Sequence, residues 1–264
     1  MEMFQEERLL KILAYLKAHQ TMSVGEICTH FQVSRDTARR DIVRLVQEGV
    51  VVRTHGGVAL PELQKELSSY QDRLIEESSS KDEIGRLSAK LIRDHETVYL
   101  DVSTTVQFVA EHVQAKQITA VTHSIDNVSI LSKREDLSIY VLGGYLHIQN
   151  RLLSGPSVVD KIREIRADKA FIGATAIRPD GLYYPYEEDV RVKKEMARQS
   201  DQVILVVDHT KFGAKSRFKL DFEYVDIIVT DQPVSSEMRE LLDARNITLI
   251  ECTTENQRDG AESR

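Results

Sequence analysis

At 264 residues, 41% of them apolar and 29% charged, the chain has an ordinary globular make-up and room for a small domain joined to a larger one. No apolar run nears the ~18 residues of a membrane span, and the polar, acidic start Met-Glu-Met-Phe-Gln-Glu-Glu-Arg is unlike a secretory leader, so a cytoplasmic protein with no membrane partner is expected. The net charge of −7 speaks against nucleic acid only until it is divided: residues 1–60 hold eight basic and seven acidic groups, the remainder 27 and 35.

Leu9, Ile12, Leu13 and Leu16 recur at helical spacing, as do Val24, Ile27, Cys28 and Phe31. Ser23 and Ser34 stand where a hydroxyl caps the second helix and a third. Only Gln32 and Val33 separate those two helices, the tight joint of a helix-turn-helix. In the third helix Ala38, Ile42 and Leu45 mark the buried side. At about 100° per residue, Asp36 and Arg40 then point outward, with Thr37 and Arg39 on the flanks. The exposed start of such a helix meets base edges in the major groove, and guanidinium groups suit both guanine and phosphate. Asp41 lies nearer the buried side and is expected to be an ion-pair partner within the fold. Val50-Val51-Val52-Arg53 and Val58-Ala59-Leu60 bracket Thr54-His55-Gly56-Gly57, a glycine-tipped hairpin. That predicts a wing. The candidate DNA contacts are Ser34, Arg35, Asp36, Thr37, Arg39, Arg40, Arg44, Arg53 and His55.

Helix pattern alone leaves an interaction module open. Residues 33–60, however, resemble the winged helix-turn-helix of DeoR-type bacterial repressors, whose pattern is VS-x-x-T-x-RRD-L followed by R-x-HGG-A. Ser34, Thr37, Arg39, Arg40, Asp41, Arg53, His55, Gly56 and Gly57 fall in place, with Ala38, Ile42 and Val58 standing for Ile, Leu and Ala. Residues 1–60 are thus expected to form a winged helix-turn-helix domain.

Residues 61–80 are polar and serine-rich and are read as a linker. A helix over 81–93 follows, with Ile84, Leu87, Leu91 and Ile92 on one side. Apolar strands are expected at 97–101, 118–122, 137–142, 169–173, 202–207, 225–229 and 247–250, with helices at 106–113, 125–131, 157–165, 189–199 and 235–244. That alternation predicts an α/β domain over 81–252, a Rossmann-like, mainly parallel sheet covered on both faces. Residues 253–264 are a polar tail. Cys28 and Cys252 lack metal-ligand spacing and are read as reduced thiols.

Such sheets bind ligands beyond the carboxyl ends of their strands. Asp101-Val102-Ser103-Thr104-Thr105, Thr122-His123-Ser124, Gly143-Gly144, Gly173-Ala174 and Asp208-His209-Thr210-Lys211 all fall at that edge. A serine after a strand is equally a helix cap, and Gly-Gly equally a turn. Their shared edge is what singles the group out.

Residues 81–252 resemble the DeoR-type sensor domain, a fold related to ribose-5-phosphate isomerase. The likeness rests on Asp101-x-Ser103-Thr104-Thr105, Thr122-His123-Ser124, Gly143-Gly144, Asp168-x-Ala170-Phe171-x-Gly173, Glu188-Asp189-x-x-x-Lys193 and Asp208-His209-Thr210-Lys211-Phe212-Gly213. The family has Gly at Ser103, Asn at His123 and Glu at Asp189. Segments 183–186 and 208–213 look nearest to the glycerol-3-phosphate-type branch, without naming an effector. The resemblance implies a repressor of a carbohydrate-metabolism operon, a double-stranded operator, a homodimer or homotetramer, and neither cofactor nor metal. Its phosphorylated-sugar effector would meet Asp101, Ser103, Thr104, Thr105, Thr122, His123, Ser124, Gly143, Gly144, Gly173, Asp189, Lys193 and Lys211.

A rival reading is an isomerase carrying a DNA-binding-like module. No Gly-Ala-Asp-Glu-type acid cluster follows the strand at Asp168, where Ile172-Gly173-Ala174-Thr175-Ala176 stands. Without a positioned base, binding is expected but no turnover. A protein-binding scaffold is the third reading, to be favoured if no duplex binds.

Overall fold

A computed structural model describes residues 5–19, 21–54, 57–59 and 70–252. His55 and Gly56 at the expected wing tip, Leu60, positions 61–69 of the expected linker and the tail 253–264 lie outside the described residues. The chain forms two compact units, residues 1–68 and 69–264.

In the first unit, helices α1 (Gln5–His19), α2 (Val24–Phe31) and α3 (Arg35–Gln47) follow the apolar spacing. Leu9, Ile12, Leu16, Ile27, Phe31, Ala38, Ile42 and Leu45 close on one another with Met22, Val51 and Val58 as a single core. Ser23 caps α2 in a reciprocal box with Glu26, its hydroxyl accepting from the Glu26 amide while the Glu26 carboxylate accepts from Ser23 N–H. Ser34 accepts from the Thr37 amide and starts α3. Gln32 takes a left-handed φ of 52° to end α2 and make the turn.

Strands β2 (Val52–Thr54) and β3 (Gly57–Ala59) form the expected hairpin. A third strand, β1 (Thr21–Ser23), pairs with β3 and was not anticipated. Gly57, expected at the tip of the turn, is instead a strand residue between Ser23 and Thr54. A Cβ there would collide with the Met22 carbonyl. It is a glycine because the β1 backbone passes too close for a side chain.

The second unit begins earlier than expected. Residues 70–80, assigned to the linker from composition, hold helix α4 (Tyr70–Ile75) and the start of α5 (Ser78–Ala89). Tyr70 is fully buried and its hydroxyl donates to Gln107 at 2.8 Å. A serine-rich stretch carries no apolar period, so only this long-range burial marks it as part of the domain.

The sheet strands are β4 (Thr97–Leu100), β5 (Thr119–Thr122), β6 (Ser138–Val141), β9 (Ala167–Ile172), β12 (Ser200–Val206), β14 (Ile227–Thr230) and β15 (Thr248–Glu251). All seven are parallel, in the order β15-β14-β12-β9-β4-β5-β6. Numbered along the chain, this is a 3-2-1-4-5-6 arrangement with a seventh strand added. Helices α6 (Thr104–His112) and α7 (Ile125–Leu131) join the first three strands. Helices α8 (Pro156–Arg163), α9 (Glu187–Arg198) and α10 (Ser236–Ala244) serve the other four. Right-handed crossovers running outward in both directions place these two helix sets on opposite faces.

The cores obey that division. Val98 and Leu100 pack with Ile84, Val106, Val109 and Leu131, whereas Tyr99 between them packs with Ile162, Val192, Met196 and Leu242. Two smaller pieces escaped the periodic pattern. They are the hairpin β7 (Tyr145–His147) with β8 (Leu152–Ser154), and the sheet of β10 (Ala176–Arg178), β11 (Gly181–Tyr184) and β13 (Phe218–Leu220). No helix among the described residues is long and apolar enough to cross a membrane.

Candidate functional site

On α3 the buried stripe turns one face of the helix to solvent. Arg35, Asp36, Arg39 and Arg40 are exposed, whereas Asp41 is fully buried. Asp41 accepts from Arg8 Nε at 2.6 Å, from Arg8 Nη2 at 3.2 Å and from Gln5 Nε2 at 2.9 Å. It clasps α1 to α3, as its position toward the core suggested. Arg40 Nε leans back onto the Asp36 carbonyl at 3.4 Å, and among the described residues Arg35 and Arg39 have no side-chain partner.

The other candidate DNA residues differ in how far they are committed within the fold. Ser34 spends its hydroxyl on the α3 cap and on Thr37 Oγ1, 3.0 Å away. Arg44 is tied to Glu48 at 3.1 Å and to Gln5 at 3.3 Å, with Glu6 at 3.8 Å. Arg53 is exposed on β2, opposite Val58.

In the sheet unit every candidate loop leaves the carboxyl edge, because all seven strands are parallel. The order of strands reverses between β4 and β9, and there the chain places its charges. Asp101 follows β4 and is fully buried. Its Oδ2 accepts from Gly173 N–H, just past β9, at 3.2 Å. Lys193 of α9 brings Nζ to 3.2 Å from Oδ1, off the hydrogen-bonding direction, so Oδ1 keeps no hydrogen bond. The same ammonium sits 4.9 Å from the centre of the Tyr184 ring, and the Tyr184 hydroxyl donates to Gly173 O at 3.0 Å. A Cβ on Gly173 would strike Ser103. The two loops meet at van der Waals distance, which the absent side chain allows.

His123, past β5, is buried within the field of Asp101 and Lys193, and its Nδ1 has no hydrogen-bond partner. Burial pushes its pKa down to about 4, with Asp101 opposing and Lys193 assisting. Asp189 completes the group; burial raises its carboxyl, and Lys193 pulls the other way. Asp101, Ser103, Gly173, His123, Asp189 and Lys193 thus converge.

Other expected contacts are committed elsewhere. Thr122 Oγ1 donates to Leu100 O at 2.6 Å and accepts from Ser124 N–H and Asn127 Nδ2. Ser124 caps α7 by accepting from the Asn127 amide. Thr105 N–H caps back onto Ser103 Oγ, and Thr104 is buried beside it. Gly143 and Gly144 stand past the edge strand β6 and serve the β7–β8 hairpin. The Gly143 carbonyl accepts from Ser157, and a Cβ on Gly144 would meet the Ser154 carbonyl.

Lys211, past β12, sits 3.6 Å from the fully buried Asp208. Burial alone would raise Asp208, but Lys211, the Thr210 hydroxyl and Lys81 together hold it below the usual carboxylate range.

Two cations here were missed from sequence. Lys81 is buried, donates to the carbonyls of Arg73 and Glu76, and has its pKa pushed down to about 8 by burial against the pull of Asp208. Its spacing to Ile84, Gly85 and Ser88, all buried, was the available signal. Arg73 of α4 feels the charge of Asp189 and of Tyr186. It lay in the supposed linker and carried no signal.

The buried imidazole makes a pH dependence measurable. An unfolded histidine takes its proton near its ordinary 6.5 and the folded His123 near 4, so the unfolded chain binds the extra proton between those values. His123 therefore leaves stability whole above pH 6.5 and removes it as pH falls toward 4, by about 2–3 kcal/mol at pH 4.5. Urea midpoints measured against pH should show His123→Asn losing less than the parent over that window. Parallel losses would mean that the imidazole is not held neutral.

Comparison with known proteins identifies relatives of both units. The profile described as the DeoR-like helix-turn-helix domain matches residues 8–64, and that of the DeoR C terminal sensor domain matches 76–232. The HTH-type transcriptional repressor GlcR of Bacillus subtilis is 42% identical over 249 residues, covering 94% of this chain and 96% of its own length. The glycerol-3-phosphate regulon repressor of Escherichia coli is 31% identical over 254 residues, with 95% and 100% covered. Ribose 5 phosphate isomerase A from Neisseria gonorrhoeae overlays on 52% of this chain and 54% of its own, at 15% identity and a TM-score of 0.37. The two relatives that match nearly end to end are repressors rather than enzymes. With a helix-turn-helix that exposes its arginines and a sheet unit that gathers buried charge at its switch point, the chain belongs to the DeoR family of transcriptional regulators.

Proposed function

We propose that this protein represses a carbohydrate-metabolism operon by binding its operator, and that a phosphorylated sugar or related metabolite in the β4–β9 crevice modulates the binding. The observation that carries the DNA half is the division of charge along α3. Asp41 is consumed in the fold, while Arg35 and Arg39 stand exposed without partners among the described residues. A guanidinium with free donors at the start of such a helix reaches base edges or phosphates. Arg40, Thr37, Asp36 and the wing residues Arg53 and His55 belong to the same surface in this reading, with Ser34 and Arg44 in supporting positions.

The effector half is supported by the incomplete hydrogen bonding of the crevice. His123 Nδ1, Asp101 Oδ1 and Asp208 Oδ2 are buried polar atoms without hydrogen-bond partners among the described residues. Hydroxyl groups of a polyol phosphate would satisfy such atoms, and Lys193 and Lys211 supply positive charge nearby. Occupancy shifts repression only if the ligand binds the DNA-competent and incompetent states with different affinity. A homodimer or homotetramer presenting paired recognition helices to repeated half-sites completes the proposal; light scattering measures that assembly.

Fluorescence anisotropy with a fragment of the cognate promoter tests the DNA half. Arg39→Ala and Arg40→Ala should each cost about 1–3 kcal/mol of specific binding, and affinity should fall steeply with salt. Unchanged affinity in both variants, or no preference over random duplex, would refute it. Thermal-shift screening against sugar phosphates tests the other half, since a ligand that prefers the native state raises its melting temperature. Lys211→Ala should blunt that rise, and a flat panel removes the sensor assignment.

A further inference from the structure

Five cations gather around the crevice, and four are already committed. Lys193 faces Asp101 and Lys211 faces Asp208. Lys81 donates to two backbone carbonyls, and Arg151 pairs with Asp126 at 2.8 Å. Arg73 is different. Its side chain forms no hydrogen bond and no ion pair among the described residues, and its Nε is sealed from solvent without a partner there. The Tyr70 ring centre lies 5.8 Å from its guanidinium carbon. Burial lowers its pKa, and Asp189 and Tyr186 at the start of α9 are among the groups acting on it. A largely buried guanidinium that no carboxylate hydrogen-bonds is costly, and a protein that keeps one gains when an anion arrives.

We infer that Arg73 is the ligand for the effector's anionic group, and that through it the effector takes hold of α4. This rests on reading the crevice as an effector site. The planar fork of arginine matches two oxygens of a phosphate monoester. Nε and one terminal nitrogen offer parallel donors to it, while the neutral His123 and the Asp101–Lys193 pair are left for the hydroxyl end.

The consequence is regulatory. Helix α4 is the first described element of the sheet unit, and in sequence it follows the DNA-binding unit. It is held to the unit by Tyr70, through Gln107, and at its far end by Lys81. An anion on Arg73 adds a third hold at its middle. Occupancy of the crevice thereby becomes a change in how firmly the start of the sheet unit, the part nearest in sequence to the winged helix-turn-helix, is fixed.

The test uses the full chain and, as probes, inorganic phosphate, glucose 6-phosphate, ribose 5-phosphate and glycerol 3-phosphate. Melting temperatures and titration calorimetry are taken for the parent, Arg73→Met and Arg73→Lys. Arg73→Met should melt at the parent's temperature or above it without ligand, because a desolvated charge with no hydrogen-bonded carboxylate is gone. It should bind the best probe about tenfold more weakly or worse. Arg73→Lys should fall between the two. Amide exchange over residues 70–77 should slow on ligand addition in the parent and not in Arg73→Met.

Should Arg73→Met fail to fold, Arg73→Lys carries the comparison: weakened binding with unchanged unliganded melting supports the role, and unchanged binding overturns it. Parent-like binding by Arg73→Met overturns the inference while leaving the sugar-phosphate reading intact. No stabilisation of the parent by any probe overturns both. Ligand binding with unaltered exchange over 70–77 removes the link to α4.

Discussion

Asp41→Ala should destabilise the N-terminal unit by about 3–5 kcal/mol, the loss typical of a buried ion pair stripped of one member. The carboxylate is fully buried and accepts three hydrogen bonds from α1, two of them from Arg8. Without it the Arg8 guanidinium, only 8% exposed, loses its buried counter-charge. The seam between α1 and α3 then opens at the helix that faces DNA. Thermal melts followed by circular dichroism should show an early transition, and operator binding should fall with it. Asp36→Ala, five residues away on the exposed face, should shift stability by less than about 0.5 kcal/mol. A combined Arg8→Met/Asp41→Leu chain should recover much of the loss, because apolar packing often replaces a buried pair without penalty. Parent-like melting of Asp41→Ala would show that the clasp contributes nothing and that the acid has another role.

Lys193→Ala should have a comparable effect in the sheet unit. Asp101 has no exposure, and Lys193 is the ammonium beside it, 3.2 Å away. Truncation leaves a carboxylate whose one hydrogen-bond donor among the described residues is Gly173 N–H. A cost of about 3–5 kcal/mol corresponds, for a unit of this size, to a fall in melting temperature on the order of 10 °C. Asp101→Asn/Lys193→Met should regain most of it, as the amide oxygen still accepts from Gly173. Neither chain should respond to sugar phosphates. Differential scanning calorimetry separates the outcomes, and a Lys193→Ala transition within a degree or two of the parent's would contradict the buried-pair account.

Both pairs illustrate what local pattern conveys. Asp41 was placed correctly from a helical wheel, because helix periodicity states which side of α3 it occupies. Its partner was not named, since Arg8 lies 33 positions away and nothing local connects them. Likewise Asp101 and Lys193 were both expected at the site, but not as each other's counter-charge. Gly57 carried a turn signal and proved to be a strand residue crowded by β1. Segment 70–80 carried a linker signal and proved to hold a fully buried tyrosine. Thr122 and Ser124 had the right address at the sheet edge, yet their hydroxyls are spent holding α7.

The amino-acid order by itself determined the two-part architecture, the helix-turn-helix with its caps, the alternation of strands and helices, and the edge at which a ligand would sit. These depend on interactions between residues a few positions apart: apolar spacing, N-cap hydroxyls and glycine at turns. Only the tertiary structure decided which strands are neighbours, which of the edge residues converge between β4 and β9, and which cation is left uncommitted. Pairing and burial of charge depend on groups brought together from distant parts of the chain, and no short-range pattern encodes their distance.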